Sequence, residues 1–229
     1  MIRLGVVTGV TAEAECLPRR EAGGAVEVVC AGGDAARAAV AAERLLARGA
    51  TGLLSFGLAG GTDPALDPGA VVVADAVVVS DGRRWETERS WRYAMTDALR
   101  GLGPVTGVLA GSDRPLVTIL AKRAFFSATG ALAVDMESHA VARVAAENDV
   151  PFAALRVVVD PARRALPRSA LAGLGAEGQI RAGAVLWRLV MRPWEAPGVA
   201  ALALDYRRAM TALRRSATAV DALLGGGTI

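Results

Sequence analysis

The residues with most chemistry to offer lie in one stretch, Ala131–Pro161, ALAVDMESHAVARVAAENDVPFAALRVVVDP. It carries two carboxylates, Glu137 and Asp160, whose neighbours place them. Ala140, Val141, Val144 and Ala145 recur at i, i+1, i+4 and i+5, the spacing of one apolar helix face. Asn148-Asp149 and Pro151 stop that helix. Val134-Asp135-Met136-Glu137 leads into it from a short strand. Phe152–Val159 is a Val-rich apolar run broken only by Arg156, as expected of a strand covered on both faces. Glu137 and Asp160 therefore fall near the carboxyl ends of strands, where open α/β sheets hold their ligands. Carboxyl groups so placed can pass protons or stabilise a positive charge.

The flanking sequence supplies the elements that must position such a site. Ile2–Val7 reads as a buried strand, closed by Thr8-Gly9, and a short helix with Glu13 follows. Val26–Cys30 is a second strand. Asp34 is a suitable N-cap for a helix over Ala35–Arg48 that Gly49 ends. Leu53–Phe56 is a third strand running into the glycine-rich turn Gly57–Gly61, where absent Cβ atoms let backbone amides approach a sugar or anion; the alternative is a tight turn with unusual dihedrals. Ala70–Ser80 and Val105–Ala110 read as strands and Leu116–Phe126 as a helix. Asp81–Met95, polar with two tryptophans, reads as a loop, either a lid or a subunit contact. The alternation predicts one α/β domain over residues 1–229, three layers deep, with a central mixed, mostly parallel sheet flanked by helices. Gly173–Gly178 fits GxGxxG but follows no strand, so a dinucleotide site is not expected.

Of the 229 residues 53% are apolar and 4% aromatic, so Ala, Val, Leu and Gly must fill the core. The net charge of +3 makes no case for a nucleic-acid partner. Cys16 and Cys30 form neither a CxxC nor a metal pair and read as reduced thiols of a cytoplasmic protein. No targeting peptide and no bilayer-spanning run are expected. A single histidine, His139, argues against a Ser-His-Asp triad or a multi-histidine metal site, and no metal is expected.

The run AVDMESHAVARVAAENDVPFAALRVVVD resembles the hallmark segment of the nucleoside phosphorylase and nucleosidase superfamily, in particular its methylthioadenosine/S-adenosylhomocysteine nucleosidase branch. The likeness extends to LGVVTGVTAEAECL and LLSFGLAGGTDPALDPGAVVVAD and covers roughly residues 1–170. It implies cleavage of an N-glycosidic bond with release of adenine, without a cofactor, by a homodimer. Asp160 then matches the general acid that protonates the purine N7. Glu137 matches the glutamate on the ribose hydroxyls, with Met136 and Val134 beside it and Gly57 and Gly60 in the ligand loop. Glu13 matches the residue that orients and deprotonates water. Glycosidases solve the analogous problem with two carboxyl groups and an oxocarbenium-like transition state.

Several positions depart from the nucleosidase pattern. Val159 replaces the usual serine before the aspartate, and Pro161 follows it. Arg114-Pro115 stands where an aromatic stacks on the base, leaving Leu116 or Val117 to close the pocket. The arginines that phosphorylases use are missing at Val10–Ala14 and Ser55-Phe56, so water is favoured over phosphate. Inorganic phosphate as co-substrate would have to rely on Arg37 and Gly9, and Arg37 reads equally as a surface residue. After Asp160 the chain diverges. The segments "VDMES", "GGDAARA" and "RPWEAP", with C-terminal helices over about 179–224, resemble the hopanoid-associated phosphorylase subgroup, which implies adenosylhopane as substrate. Leu186, Trp187, Val190 and Trp194, flanked by Arg188 and Arg192, would then form a peripheral membrane patch, or else pack on the sheet or a partner. The competing expectations are a methylthioadenosine/S-adenosylhomocysteine nucleosidase and a nucleoside-binding module without catalysis.

Overall fold

The computed structural model describes residues 3–18, 25–171 and 182–225. Eight strands share one sheet: β1 (Leu4–Thr8), β2 (Val26–Cys30), β3 (Gly52–Gly61), β4 (Val71–Val78), β5 (Arg84–Glu86), β6 (Val105–Gly111), β7 (Ala133–Asp135) and β8 (Phe152–Asp160). β1 lies between β2 and β3 and runs parallel to both. β8 is parallel to β3 and antiparallel to β4. β4 and β6 are parallel, as are β6 and β7, and β7 meets the far end of β3 antiparallel at Gly60 and Gly61. The strands β3, β8, β4, β6 and β7 thus close on themselves, while β5 pairs with the outside of β4.

The helices are α1 (Thr11–Ala14), α2 (Ala35–Ala47), α3 (Arg89–Ala98), α4 (Ile119–Thr129), α5 (Ser138–Glu147), α6 (Arg168–Leu171), α7 (Ala182–Met191) and α8 (Ala196–Gly225). Side chains alternate across a strand, and β8 shows the result. Phe152, Ala154 and Val158 join one core with the apolar faces of α2 and α5. Ala153, Leu155 and Val157 join a second core with Trp91, Met95 and the inner face of α8. The expected three layers follow from this alternation. Arg156 has the parity of the first face, so it is turned inward beneath α5.

Two expectations are corrected. Gly57–Gly61 is not a turn: β3 runs through it, because both its edges are paired, with β8 and then with β7. Asp81–Met95 is not a loop either. It holds β5 and most of α3, whose start Glu88 caps through its side chain on the Ser90 amide. Trp91, Met95, Ala98 and Leu99 recur at helical spacing, a stripe that a segment ended at Met95 cuts short, and Trp91 is only 3% exposed. The ring fits because residue 52 is glycine: a Cβ there would lie 2.3 Å from the indole. The Gly173–Gly178 motif lies outside the described residues.

Trp91 anchors α3 to the second core. Trp91→Ala should therefore cost about 3–5 kcal/mol, read by urea unfolding. A midpoint within error of the wild type would show that the helix does not depend on this ring.

Candidate active site

Each acid is presented by the end of a strand. β1 runs out at Gly9-Val10, and Glu13, one turn into α1, folds back over them. Its Oε2 accepts the amides of Gly9 (2.7 Å) and Val10 (3.0 Å), and its Oε1 accepts the Leu58 amide of β3 (2.9 Å). The carboxylate so caps its own helix and pins it to the sheet. At the end of β7, Asp135 accepts the amides of Glu137 (3.2 Å) and Ser138 (2.9 Å), which turns the chain into α5 and aims Glu137 inward. At the end of β8, a register shift between Ala59 and Gly60 sets Asp160 opposite Gly60.

Beneath these acids lies Arg156, 1% exposed. Its Nε is 2.5 Å from Asp135 Oδ2. Its Nη2 donates to Ser55 Oγ (2.6 Å), Ser138 Oγ (3.1 Å) and Glu137 Oε2 (3.3 Å). Its Nη1 finds no hydrogen-bond partner among the described residues. A Cβ on Gly57 would meet that Nη1 and Glu13 Oε2, each at 2.5 Å. A Cβ on Gly9 would sit 2.7 Å from Glu137 Oε1 and 3.3 Å from Glu13 Oε2. These glycines let the charged groups close on one another.

Glu13, Glu137 and Asp160 all line one cavity of about 450 Å³, together with Gly9, Gly60, Val134, Met136, Leu58, Arg114, Leu116, Val159 and Leu166. Gly57 is not on its surface; it makes room behind it. Among the described residues, Val117 is absent from the lining and none of the lining residues is aromatic. The two candidate phosphate contacts are engaged elsewhere. The Gly9 amide is held by Glu13, and exposed Arg37, at the rim, donates from Nη2 to the Gly32 carbonyl (2.9 Å). His139 lies outside, in a separate cavity of about 510 Å³ with Arg83 and Asp113.

Burial dominates the electrostatics. It pushes Glu13 upward, against the pull of Arg156 and of three backbone amides. It pushes Glu137 to about 8, with Arg156 opposing and the charges of Asp135 and Glu13 adding. Asp160 is raised by burial too, with Lys122 opposing. Burial works against the Arg156 charge, but Asp135, Glu137 and Glu13 outweigh it and keep the guanidinium charged.

The sequence matches the family described as the phosphorylase superfamily over residues 16–190. The chain belongs to that superfamily. It is accordingly an enzyme of the kind that cleaves N-glycosidic bonds. No curated protein matches the sequence. Among solved structures, the S-adenosylhomocysteine nucleosidase of Streptococcus pyogenes superposes with a TM-score of 0.70 at 17% identity, over 98% of this chain and 97% of that one. The 5'-methylthioadenosine/S-adenosylhomocysteine nucleosidase of Helicobacter pylori gives 0.69 at 16% identity, over 97% of both chains. The futalosine hydrolase of the same organism gives 0.61 at 20% identity, over 70% of this chain and 88% of that one. These likenesses establish the α/β fold.

Beyond the three acids, the structure brings Asp135, Ser55, Ser138 and Arg156 into one buried network beneath the cavity and Lys122 onto Asp160. Arg156 was visible in the sequence as the sole charge in an apolar strand, an expensive placement unless partners wait inside. Ser55 and Ser138 carried no signal of their own.

Because Glu137 binds its proton more tightly in the fold than in the open chain, it stabilises most below its unfolded pKa, near 4.5. That contribution drains away as pH rises toward 8. Glu13 and Asp160 act in the same direction. The melting temperature should fall from pH 5 to pH 8, and Glu137→Gln should flatten the decline. A wild-type melting temperature that rises across this window would contradict the assignment.

Proposed function

We propose that this protein cleaves the N-glycosidic bond of an adenine nucleoside and releases adenine, with water as the acceptor. The observation that carries the reading is the convergence of Glu13, Glu137 and Asp160 on one cavity. Asp160 gives its proton to the purine N7 as the C1'–N9 bond breaks and its electron pair passes to the base. Glu137 accepts hydrogen bonds from the ribose hydroxyls. A cationic sugar beside it favours its ionised form, and its charge in turn stabilises that sugar. Water held by Glu13 adds to C1' from the opposite side and leaves its proton on that carboxylate. Met136 and Val134 supply apolar wall.

Water is favoured over inorganic phosphate by charge. Three acids, Glu13, Asp135 and Glu137, surround the one buried guanidinium of Arg156, while Arg114 and Arg37 also line the cavity. A phosphate about 4 Å from an ionised Glu13 would lose about 4 kcal/mol per charge pair at an effective dielectric near 20.

For the 5'-substituent the reading is a lipid tail, as in adenosylhopane, following the resemblance of the C-terminal segments. Its support is an exposed apolar surface on α7 and the turn after it. Trp187, Val190, Met191 and Trp194 are 65–72% exposed and stand beside exposed Arg188. Such residues suit peripheral contact with an anionic bilayer. No helix among the described residues is long and apolar enough to cross a membrane. The Leu186 side chain lies outside the described set. A homodimer is part of the reading, by resemblance. The second reading is a methylthioadenosine/S-adenosylhomocysteine nucleosidase, supported by the likeness to enzymes of that name over nearly the whole chain. Against it stands a cavity with no aromatic to stack on the base.

Adenine release from adenosylhopane, 5'-methylthioadenosine and S-adenosylhomocysteine, each with and without phosphate, tests the proposal. The lipid nucleoside should be cleaved fastest, at a rate independent of phosphate. Asp160→Asn should lower turnover about 10²–10⁴-fold. A phosphate requirement would overturn hydrolysis, and full activity of Asp160→Asn would overturn the role of Asp160. Separately, Trp187→Ala with Trp194→Ala should weaken co-sedimentation with anionic vesicles. Failure of the unaltered protein to sediment with them would exclude the membrane contact.

A further inference from the structure

Lys122 is the only lysine in the sequence, in a chain that uses arginine for every other cationic side chain. It is also fully buried, and it is the only buried residue of α4. Its Nζ has three protons and finds three acceptors. One is Asp160 Oδ2, in a short ion pair; the others are the carbonyls of Pro161 and Arg164, each at 3.0 Å. A planar guanidinium does not match three acceptors converging on one point, which an ammonium does. α4 is otherwise a peripheral helix that turns one charged residue inward.

The consequence falls on Asp160. A lysine ammonium donates and cannot accept, so no carboxyl proton can sit on Oδ2 facing Nζ. The other oxygen is Oδ1, 3.1 Å from where a Gly60 Cβ would be, on a residue that lines the cavity. We propose that Lys122 is a positioning residue of the reaction, acting through Asp160: it occupies Oδ2, confines the transferable proton to Oδ1, and balances the charge left on the carboxylate once that proton has gone to the base. The inference rests on the reading of Asp160 as the general acid. It also accounts for how an aspartate flanked by Val159 and Pro161 is held, since its support comes from another helix rather than from its neighbours in the chain.

The charged groups around Asp160 are few. Lys122 reaches it from α4. Asp205 approaches from α8, ion-paired with Arg164 of the loop after β8. Loss of the lysine charge leaves Asp160 buried beside Asp205, itself paired with Arg164. Both burial and a like charge favour the protonated acid.

The test is the pH profile of adenine release from the two nucleosides named first above, for the wild type, Lys122→Gln and Lys122→Arg, with Asp160→Asn as control. Activity that needs protonated Asp160 is lost as pH rises through its pKa. Lys122→Gln should therefore lower kcat about 10–100-fold, as misplacement of a reacting group does, and move the basic limb upward by a pH unit or more. Lys122→Arg should return the limb towards its wild-type place. A merely structural lysine would lower the amount of folded enzyme and leave the limb where it was. Should either variant not fold, the wild type still answers. With ¹⁵N-lysine labelling its single Nζ resonance should shift with the same midpoint as the basic limb, and should lose that midpoint in Asp160→Asn. An unmoved limb in folded Lys122→Gln, or an Nζ signal that ignores Asp160, overturns the inference while an inactive Asp160→Asn leaves the general-acid reading intact. A fully active Asp160→Asn removes that reading instead.

Discussion

A guanidinium buried to 1% exposure is the constraint on which the site depends. An isolated charge at that depth would cost several kcal/mol, and removing one partner of a buried pair typically costs 3–5 kcal/mol. Arg156 meets the demand by collecting Asp135, Glu137, Ser55 and Ser138, which belong to β7, β3, α5 and the turn leading into that helix. Once they are gathered, the ends of β3, β7 and β8 cannot slip relative to one another without unpairing charge. The register that puts Asp160 opposite Gly60 is enforced by this electrostatic pin as well as by backbone hydrogen bonds.

The pin is undercharged, and chemistry follows from that. Asp135 alone neutralises Arg156, so Glu137 and Glu13 are surplus carboxylates in a dry place, and Glu137 is pushed up to about 8. On the proposed reading, such a site favours a developing cation over an added anion. Across the cavity Asp160 has its own dedicated cation in Lys122. The two halves thus differ in charge: one gathers surplus carboxylates, the other pairs one carboxylate with one ammonium. Perturbed groups set against each other in one cleft are the expected arrangement for acid–base work.

Much of this was legible in the sequence. β2 appears where apolar runs and punctuation place it, β8 extends one residue beyond the expected run, and Asp34 caps α2 on the Arg37 amide. The three acids could be singled out because each follows a strand-like run. What was not legible depended on the third dimension. Gly57–Gly61 looked like a turn because glycine is the usual turn signal, yet here each glycine makes room: Gly57 for Arg156 and Glu13, Gly60 for Asp160. α3 was hidden by its charged surface, since Trp91 and Met95 are its only buried residues. Lys122 was marked in the sequence only by being its sole lysine; its burial was not legible, because a helix that buries a single polar residue has no apolar stripe to betray which face turns inward.

The most direct measurement is a crystal structure of Asp160→Asn with an adenine nucleoside bound. The account predicts the ribose hydroxyls on Glu137, the purine N7 within hydrogen-bonding reach of residue 160, and a water between Glu13 and the far face of C1'. A nucleoside lodged instead in the cavity of His139 and Arg83, or one whose ribose turns away from Glu137, would contradict it.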